Sequence, residues 1–306
     1  MVAYRRRAPF PGSRKVNRVG ILYPGDLGAA LGHAITKAGG TVVTCLAGRS
    51  AATISRAEAA SFRTVSSLEE VAQVSDIVVS VIPASSAIEV ARSFAASLAN
   101  CDDRRGEQLI FVDANSVAPR TKREIGDLLR TRGVRYVDGA FFGPASRIGQ
   151  ETVLALSGSA AVDIAPMLGQ AMEVRVLGAE EGQASALKMA MAIMTKGIPA
   201  LFLESVCAAM NNEQLDSTLE MIGHLYPGIL SFLERTVPTY PTHIERRVHE
   251  LDEAAKWLQD VGQCGVMTQA AISVLERLRR AEIEGTVRSS FKDVLFRIGE
   301  ADVLHA

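Results

Sequence analysis

One stretch constrains the fold of this chain more than any other: residues 16–50, VNRVGILYPGDLGAALGHAITKAGGTVVTCLAGRS. Val19-Gly20-Ile21-Leu22 is a short apolar run that reads as a buried strand. Tyr23-Pro24-Gly25-Asp26-Leu27-Gly28 is a glycine-bearing turn. A helical pattern follows from about Leu27 to Lys37, and Ala38-Gly39-Gly40 breaks it. The run Thr41–Leu46 is β-branched and apolar and closes the unit. Strand, glycine turn, helix and strand in that order form the βαβ unit that cradles a dinucleotide. Glycine lets the backbone approach the pyrophosphate, and the helix N-terminus offers unbonded N–H groups to it.

The alternation continues. Arg56–Phe62 reads as a short helix, and Leu68–Val74 as a helix with Ser66 and Ser67 ahead of Glu69 and Glu70 as its cap. Asp76–Ile82 is a near-continuous apolar strand that Pro83 stops; such a run has helices on both faces of a parallel sheet. Ser86–Ala99 and Pro119–Arg132 read as helices, and Leu109–Asp113, Val134–Asp138, Thr152–Leu156 and Val174–Leu177 as strands. No strand pattern follows Leu177. Instead Glu181–Asn211, Leu215–Phe232, Thr242–Val261, Thr268–Glu284 and Phe291–Leu304 read as helices. The expected architecture is an α/β Rossmann domain, doubly wound around a mostly parallel sheet, followed by an all-α domain. The expected boundaries are 1–17 for a flexible tail, 18–178 for the Rossmann domain and 179–306 for a helical substrate and dimerisation domain.

Composition narrows the function classes. The 306 residues are 48% hydrophobic and 22% charged, enough apolar material for a sizeable core. A net charge of −1 gives no basic field for nucleic acid. Arg5, Arg6, Arg7, Arg14, Lys15 and Arg18 do cluster at the N-terminus, but no apolar segment follows them as in a secretory signal. No run reaches the roughly 18 apolar residues of a membrane span, and Lys188, Lys196 and Glu204 interrupt the longest apolar helix. Cys45, Cys101, Cys207 and Cys264 are too scattered for a zinc site or a compact disulfide framework, and the histidines show no metal-ligand spacing. A cytoplasmic protein without a metal is expected.

The turn carries two glycines of the dinucleotide fingerprint, Gly25 and Gly28, with Tyr23 where the first glycine stands. The second strand ends Cys45-Leu46-Ala47-Gly48-Arg49-Ser50. NAD sites place a carboxylate there for the ribose hydroxyls, whereas an Arg accommodates the 2′-phosphate of NADP. Arg49 and Ser50 with no carboxylate point to NADP, with NAD possible. Ile82, Pro83 and Ala84, after the strand that Asp76 opens, would line the nucleotide.

Further along lie Asp113-Ala114-Asn115-Ser116-Val117-Ala118-Pro119, then Phe142-Gly143-Pro144, then Gly178-Ala179-Glu180-Glu181-Gly182-Gln183 leading to Lys188. In this order, with the glycine turn, they resemble the motifs of the β-hydroxyacid dehydrogenase and 6-phosphogluconate dehydrogenase superfamily. The likeness covers roughly residues 18–300. The spellings are similar to a 6-phosphogluconate-dehydrogenase-like branch with its own C-terminal domain. The resemblance implies an oxidoreductase with Lys188 as the catalytic acid/base. Lys188 stands in the apolar segment Ala184–Ala192, where burial favours the neutral amine that a base requires. It implies that Asn115 and Ser116 hold a substrate carboxylate and that Gly143 and Pro144 form the opposite lip; Ser116 also suits a helix cap. The family Asn four residues beyond the lysine is Ala192 here, and Thr195, back on the same face, is the candidate to replace it. His249 falls where a lysine of the second domain usually approaches the substrate.

The function expected is hydride transfer between NADP and a small β-hydroxy acid or a related alcohol or carbonyl. An imine reductase of the same architecture and a non-catalytic NADP-binding protein are the alternatives. Lys188 argues against the first; Tyr23 and Ala192 keep the second open. The apolar helix 181–211 needs more cover than the following residues supply, so a homodimer through the helical domain is expected, with neither nucleic acid nor membrane as partner.

Overall fold

The computed structural model describes residues 2–3, 18–100, 107–283, 289–301 and 303–304. Most of the basic stretch before Arg18 lies outside them, although Val2–Ala3 forms a strand, β1. The chain divides into two compact units, Met1–Lys188 and Met189–Ala306. Residues 179–188, grouped with the helical domain on sequence, thus count with the first unit.

In the first unit β2 (Arg18–Leu22), α1 (Asp26–Lys37), β3 (Thr41–Cys45), α2 (Ala51–Ala59), β4 (Arg63–Val65), α3 (Leu68–Val74), β5 (Ile77–Ser80) and α4 (Ala87–Ser97) follow one another. Then come β6 (Ile110–Asp113), α5 (Pro119–Arg130), β7 (Arg135–Phe142), β8 (Val153–Ser157), α6 (Ala161–Leu168), β9 (Glu173–Gly178) and the start of α7 (Gln183–Met210). Among the described residues nine strands form one sheet in the order β1-β9-β8-β7-β6-β5-β2-β3-β4. From β4 across to β7 every pairing is parallel; β8 runs antiparallel to β7, and β9 parallel to β8. The chain winds outward from β2 through β3 to β4, then returns to place β5 on the other side of β2. That reversal creates the crevice at the carboxyl ends of the strands where doubly wound folds bind ligands.

The sheet exists because its strands are apolar on both faces. Ile77 and Val79 join one buried cluster with Ile21, Leu31, Ile35 and Val112. Val78, between them, joins the opposite cluster with Leu22, Val43, Phe94, Phe111 and Leu129. The period-two alternation sends successive side chains to opposite faces, and the helices cover both. Local signals set most boundaries. Ser67 accepts a hydrogen bond from Glu70 N and starts α3. Ser50 does the same for Thr53 N, so α2 begins at Ala51, ahead of the expected Arg56. β4 and α6 were not legible: a three-residue strand shows no period, and Pro166 lies inside α6.

The second unit holds the rest of α7, then α8 (Leu215–Leu225), α9 (Pro227–Thr236), α10 (Tyr240–Asp260), α11 (Val266–Arg280) and α12 (Phe291–Glu300). Its core is built on Leu203, Val206, Leu251, Leu275, Val294 and Ile298. The single helix expected over Leu215–Phe232 is two. Tyr226 leaves the helical region at φ −135° and ψ 58°, because Pro227 disfavours helical backbone in the residue before it. The 28-residue α7 is also long and apolar enough to cross a membrane by length and composition, contrary to the sequence expectation. Within it, Lys196 is ion-paired with Glu250 of α10.

Candidate active site

The glycine turn sits at the carboxyl end of β2. Gly25 is the N-cap of α1 and contributes no side-chain cap, so the N–H groups of the first turn stay available to a ligand. A Cβ at Gly25 would meet nothing within 4 Å, so the space before the helix is open. A Cβ at Gly28 would meet Val81 Cγ1 at 3.2 Å and Ile21 Cγ2 at 3.3 Å, so the bare glycine lets α1 pack close to the sheet. These two features fit a dinucleotide pyrophosphate. The same Cβ would lie 3.5 Å from Pro24 Cβ, and Leu27 packs on the core. Asp26 is tied to Arg56 of α2 at 2.6 Å.

Tyr23 takes φ 49°, in the left-handed region. The turn imposes there the backbone that glycine adopts freely, and a tyrosine accepts it at a cost of about 1–2 kcal/mol. Its ring lies under the Arg49 guanidinium, 4.2 Å from carbon to centroid. Burial pushes the Tyr23 phenol up, Arg49 opposes the shift, and Cys45 adds to it. Arg49 Nε also donates to Ala47 O at 3.3 Å, which steadies the side chain at the end of β3. The neighbouring Ser50 hydroxyl is the cap of α2.

At the ends of β5 and β6, Asn115 works as a stitch. Its Oδ1 accepts from Ile82 N at 2.7 Å, and its Nδ2 donates to Ser80 Oγ at 3.1 Å. The backbone leads on through exposed Pro83 to Ala84, which opens a turn of 3-10 helix. Ser116 does not cap α5; Ala118 holds the N-cap position and Pro119 is the first helical residue. The Ser116 Oγ is buried and has no hydrogen-bond partner.

β7 runs on past its pairing with β6 to Phe142. Gly143 has φ 123°, and a Cβ there would lie 2.6 Å from Thr152 Oγ1, so only glycine fits. Thr152 Oγ1 donates to Pro144 O at 2.7 Å and pins the loop. Lys188 reaches this edge: its Nζ donates to Phe141 O at 2.7 Å and lies 5.3 Å from the Phe142 ring centroid. Gly25, Ile82, Ser116, Gly143 and the Lys188 ammonium contact thus all belong to the carboxyl ends of β2, β5, β6 and β7.

Sequence reasoning missed a buried polar cluster behind that edge. Lys122, Asp113 and Asp138 have no exposed surface. Lys122 Nζ donates to Asp113 O at 2.5 Å and Asp113 Oδ1 at 2.9 Å, and lies 3.5 Å from Asp138 Oδ1. Tyr136 donates to Asp113 Oδ2 at 3.0 Å; burial first, then the Asp113 and Asp138 carboxylates, hold its phenol well above the usual range. A signal existed in the sequence: Lys122 is in register with Ile125 and Leu129 on the buried face of α5.

In the second unit the Thr195 hydroxyl donates to Met191 O at 2.8 Å, inside its own helix. Lys196 Nζ lies 3.3 Å from Thr195 Oγ1. Glu250 binds both Lys196 and, at 2.9 Å, Arg246. His249 is exposed beside Glu250. Among the described residues no group of His, Cys, Asp and Glu could hold a metal ion.

The winding of the sheet and the open glycine turn define a Rossmann domain for a nicotinamide dinucleotide. The chain belongs to the family described as the NAD binding domain of 6-phosphogluconate dehydrogenase, whose model matches residues 18–171. Residues 213–278 match a domain of unknown function, DUF1932. An uncharacterized 28.5 kDa protein of Methanothermus fervidus is 27% identical over 79% of this chain and 90% of its own. A conserved protein of unknown function, MTH1747, described as structurally similar to 3-hydroxyacid dehydrogenases, is 28% identical with a TM-score of 0.68, over 92% of this chain and 99% of its own. The 3-hydroxyisobutyrate dehydrogenase of Mycobacterium tuberculosis shares the fold with a TM-score of 0.73 at 17% identity, over 92% and 98% of the two chains.

Because Gly25 faces open space at φ −82°, Gly25→Ala should leave the melting temperature of the free protein nearly unchanged while weakening dinucleotide binding. Calorimetric titration with NADP and NAD checks this; undiminished affinity for both would remove Gly25 from the cofactor site.

Proposed function

We propose that the protein is an NADP-preferring oxidoreductase acting on a small β-hydroxy acid or a related alcohol or carbonyl, with Lys188 as the acid/base. The observation that supports this best is the Lys188 ammonium held on Phe141 O, at the strand edge that also carries the open glycine turn. The nicotinamide cofactor, when bound, accepts or supplies the hydride.

The chain's own residues do the rest. Tyr23-Pro24-Gly25-Asp26-Leu27-Gly28 holds the pyrophosphate through the backbone, with Ile82, Pro83 and Ala84 along the nucleotide. Ser116 offers a hydroxyl that no protein group occupies, suited to a substrate carboxylate. Asn115 contributes by shaping the loop, since its amide is engaged on Ile82 and Ser80. Gly143 and Pro144 form the facing lip. In the oxidative direction neutral Lys188 takes the proton of the substrate hydroxyl; in the reductive direction its ammonium returns it. Phe141 O accepts one of the ammonium hydrogens and fixes where the amine stands. For Thr195 and His249, in the second unit, the support is the family resemblance alone; the Thr195 hydroxyl donates to Met191 O and accepts from Lys196 Nζ within its own helix.

NADP preference rests on Arg49. The Tyr23 ring and Ala47 O hold its guanidinium at the end of a strand without a carboxylate. The homodimer rests on the apolar face of α7 and its surroundings. Met191, Met194 and Leu201 recur at helical spacing and stay exposed, as do Met221, Leu225 and Tyr226. Exposed apolar side chains repeated along one helix are what a protein interface covers, and a second copy would supply that cover.

Lys188→Met should lower kcat about a hundredfold or more on whichever hydroxy acid is turned over. Retained kcat removes the mechanism, and turnover of cyclic imines but not of keto acids would assign an imine reductase instead. Arg49→Ala should raise the KM for NADP about tenfold more than that for NAD, the loss of a charge-assisted phosphate contact; equal effects would sink the 2′-phosphate assignment. Light scattering at micromolar concentration should return twice the 32.7 kDa chain mass, and a single-chain mass would refute the dimer.

A further inference from the structure

We infer that Asp138, a carboxylate with no exposed surface, is a positioning residue that sets the place of Lys188 by capping the helix that carries it. The inference rests on the reading of Lys188 as the acid/base.

Strand β7 grips the start of α7 at two points. Asp138 Oδ2 accepts from Gly182 N at 3.2 Å, Ser185 N at 2.9 Å, Ser185 Oγ at 3.0 Å and Ser157 Oγ at 3.2 Å. Ser157 Oγ in turn accepts from Ala184 N at 3.0 Å. The first N–H groups of α7 therefore end on a buried carboxylate and a serine it holds. A negative charge at a helix N-terminus is favoured by the helix dipole, more so away from water. Gly182 makes the geometry possible: its φ is 96°, and a Cβ would approach Pro119 and Arg123. Three residues further along β7 lies Phe141, and one helical turn beyond Ser185 lies Lys188; the two meet through the 2.7 Å bond to Phe141 O.

The other Asp138 oxygen, Oδ1, is buried and accepts no hydrogen bond; what faces it is an ammonium. Lys122 Nζ stands 3.5 Å from Oδ1 and is itself fixed on Asp113 and on Gly139 O. Asp138 is thereby tied to α5, β6, β8 and α7 at once. A cap that shifted would rotate α7 and carry Lys188 off Phe141 O. An amide could satisfy the two N–H groups alone, but it would place its own N–H₂ among donors, whereas a carboxylate accepts from both N–H groups and both serine hydroxyls. A buried carboxylate with a fixed counter-ion instead gives a single rigid seat for the helix.

The test compares Asp138→Asn, Ser185→Ala and Ser185→Thr with a control, Gly32→Ala, in the full chain. Gly32→Ala crowds Phe62 at α1 and destabilises the fold without touching α7. The Lys188 Nζ signal in lysine-labelled protein, assigned by its loss in Lys188→Arg, reports the position of the amine without any substrate. Asp138→Asn and Ser185→Ala should shift that signal and its titration midpoint. They should also lower kcat about ten- to a hundredfold with the KM for the cofactor unchanged, as displacement of a reacting group does. Ser185→Thr, which restores the hydroxyl, should recover both, and Gly32→Ala should move neither at an equal loss of melting temperature. An unchanged Lys188 signal and kcat in Ser185→Ala, which removes one hydrogen bond and no charge, overturns the inference. A shift of equal size in Gly32→Ala overturns it too. Turnover by Lys188→Met would fail the acid/base reading alone, because the Lys188 signal judges Asp138 independently.

Discussion

Lys122, Asp113 and Asp138 carry their charges in a part of the first unit that water does not reach. Stripping water from three ionised groups costs several kcal/mol each, so the cluster persists only because opposite charges face one another and its polar atoms, Asp138 Oδ1 excepted, are hydrogen-bonded. The ammonium has two carboxylates and two carbonyls, Asp113 has Lys122, Tyr136 and Asn115 N, and Asp138 has the opening of α7. Apolar replacements could make a comparably stable core. They could not fix the relative placement of β6, β7, α5 and α7 through directional bonds, and these elements present Asn115, Ser116, Phe141 and Lys188.

The same reasoning applies at the other half of the edge, with backbone groups in place of charges. A parallel sheet wound in both directions from β2 leaves the first turn of α1 facing the gap where the winding reverses. Gly25 keeps that gap open, and Gly28 brings the helix down onto the sheet. Tyr23 shows what the turn requires even where glycine is missing. The backbone is held left-handed, and the side chain is employed as a seat for Arg49.

Much of this was legible in the sequence and some of it was not. The strands β2, β3, β5 and β6 are apolar runs ended by turn residues, and they fall where the pattern places them. α3 was legible to the residue because its serine cap and apolar spacing coincide. Lys122 passed unnoticed because a lysine on an amphipathic helix is ordinarily taken for a solvated one. Only its place beside Ile125 and Leu129 hinted otherwise. Asp138 reads as a strand terminus, yet β7 continues through it to Phe142. The break at Tyr226 could have been read from the proline after it, and was hidden by an apolar period that runs on across the gap.

The sequence by itself determined the alternation of strands and helices apart from β4 and α6, the change to an all-helical second half, and the glycine turn after β2. These depend on period, propensity and backbone freedom, which are local properties. Tertiary structure alone decided which groups are employed and which are free. Asn115 and Ser116 are adjacent and look equivalent, but the fold spends the amide on Ile82 and Ser80 and leaves the hydroxyl without a partner. Lys122 stands among charged residues and Lys188 among apolar ones, yet the first is enclosed by carboxylates and the second meets a carbonyl at the strand edge. The difference lies in partners brought from other elements, and a linear pattern cannot specify the distance between residues so far apart in the chain.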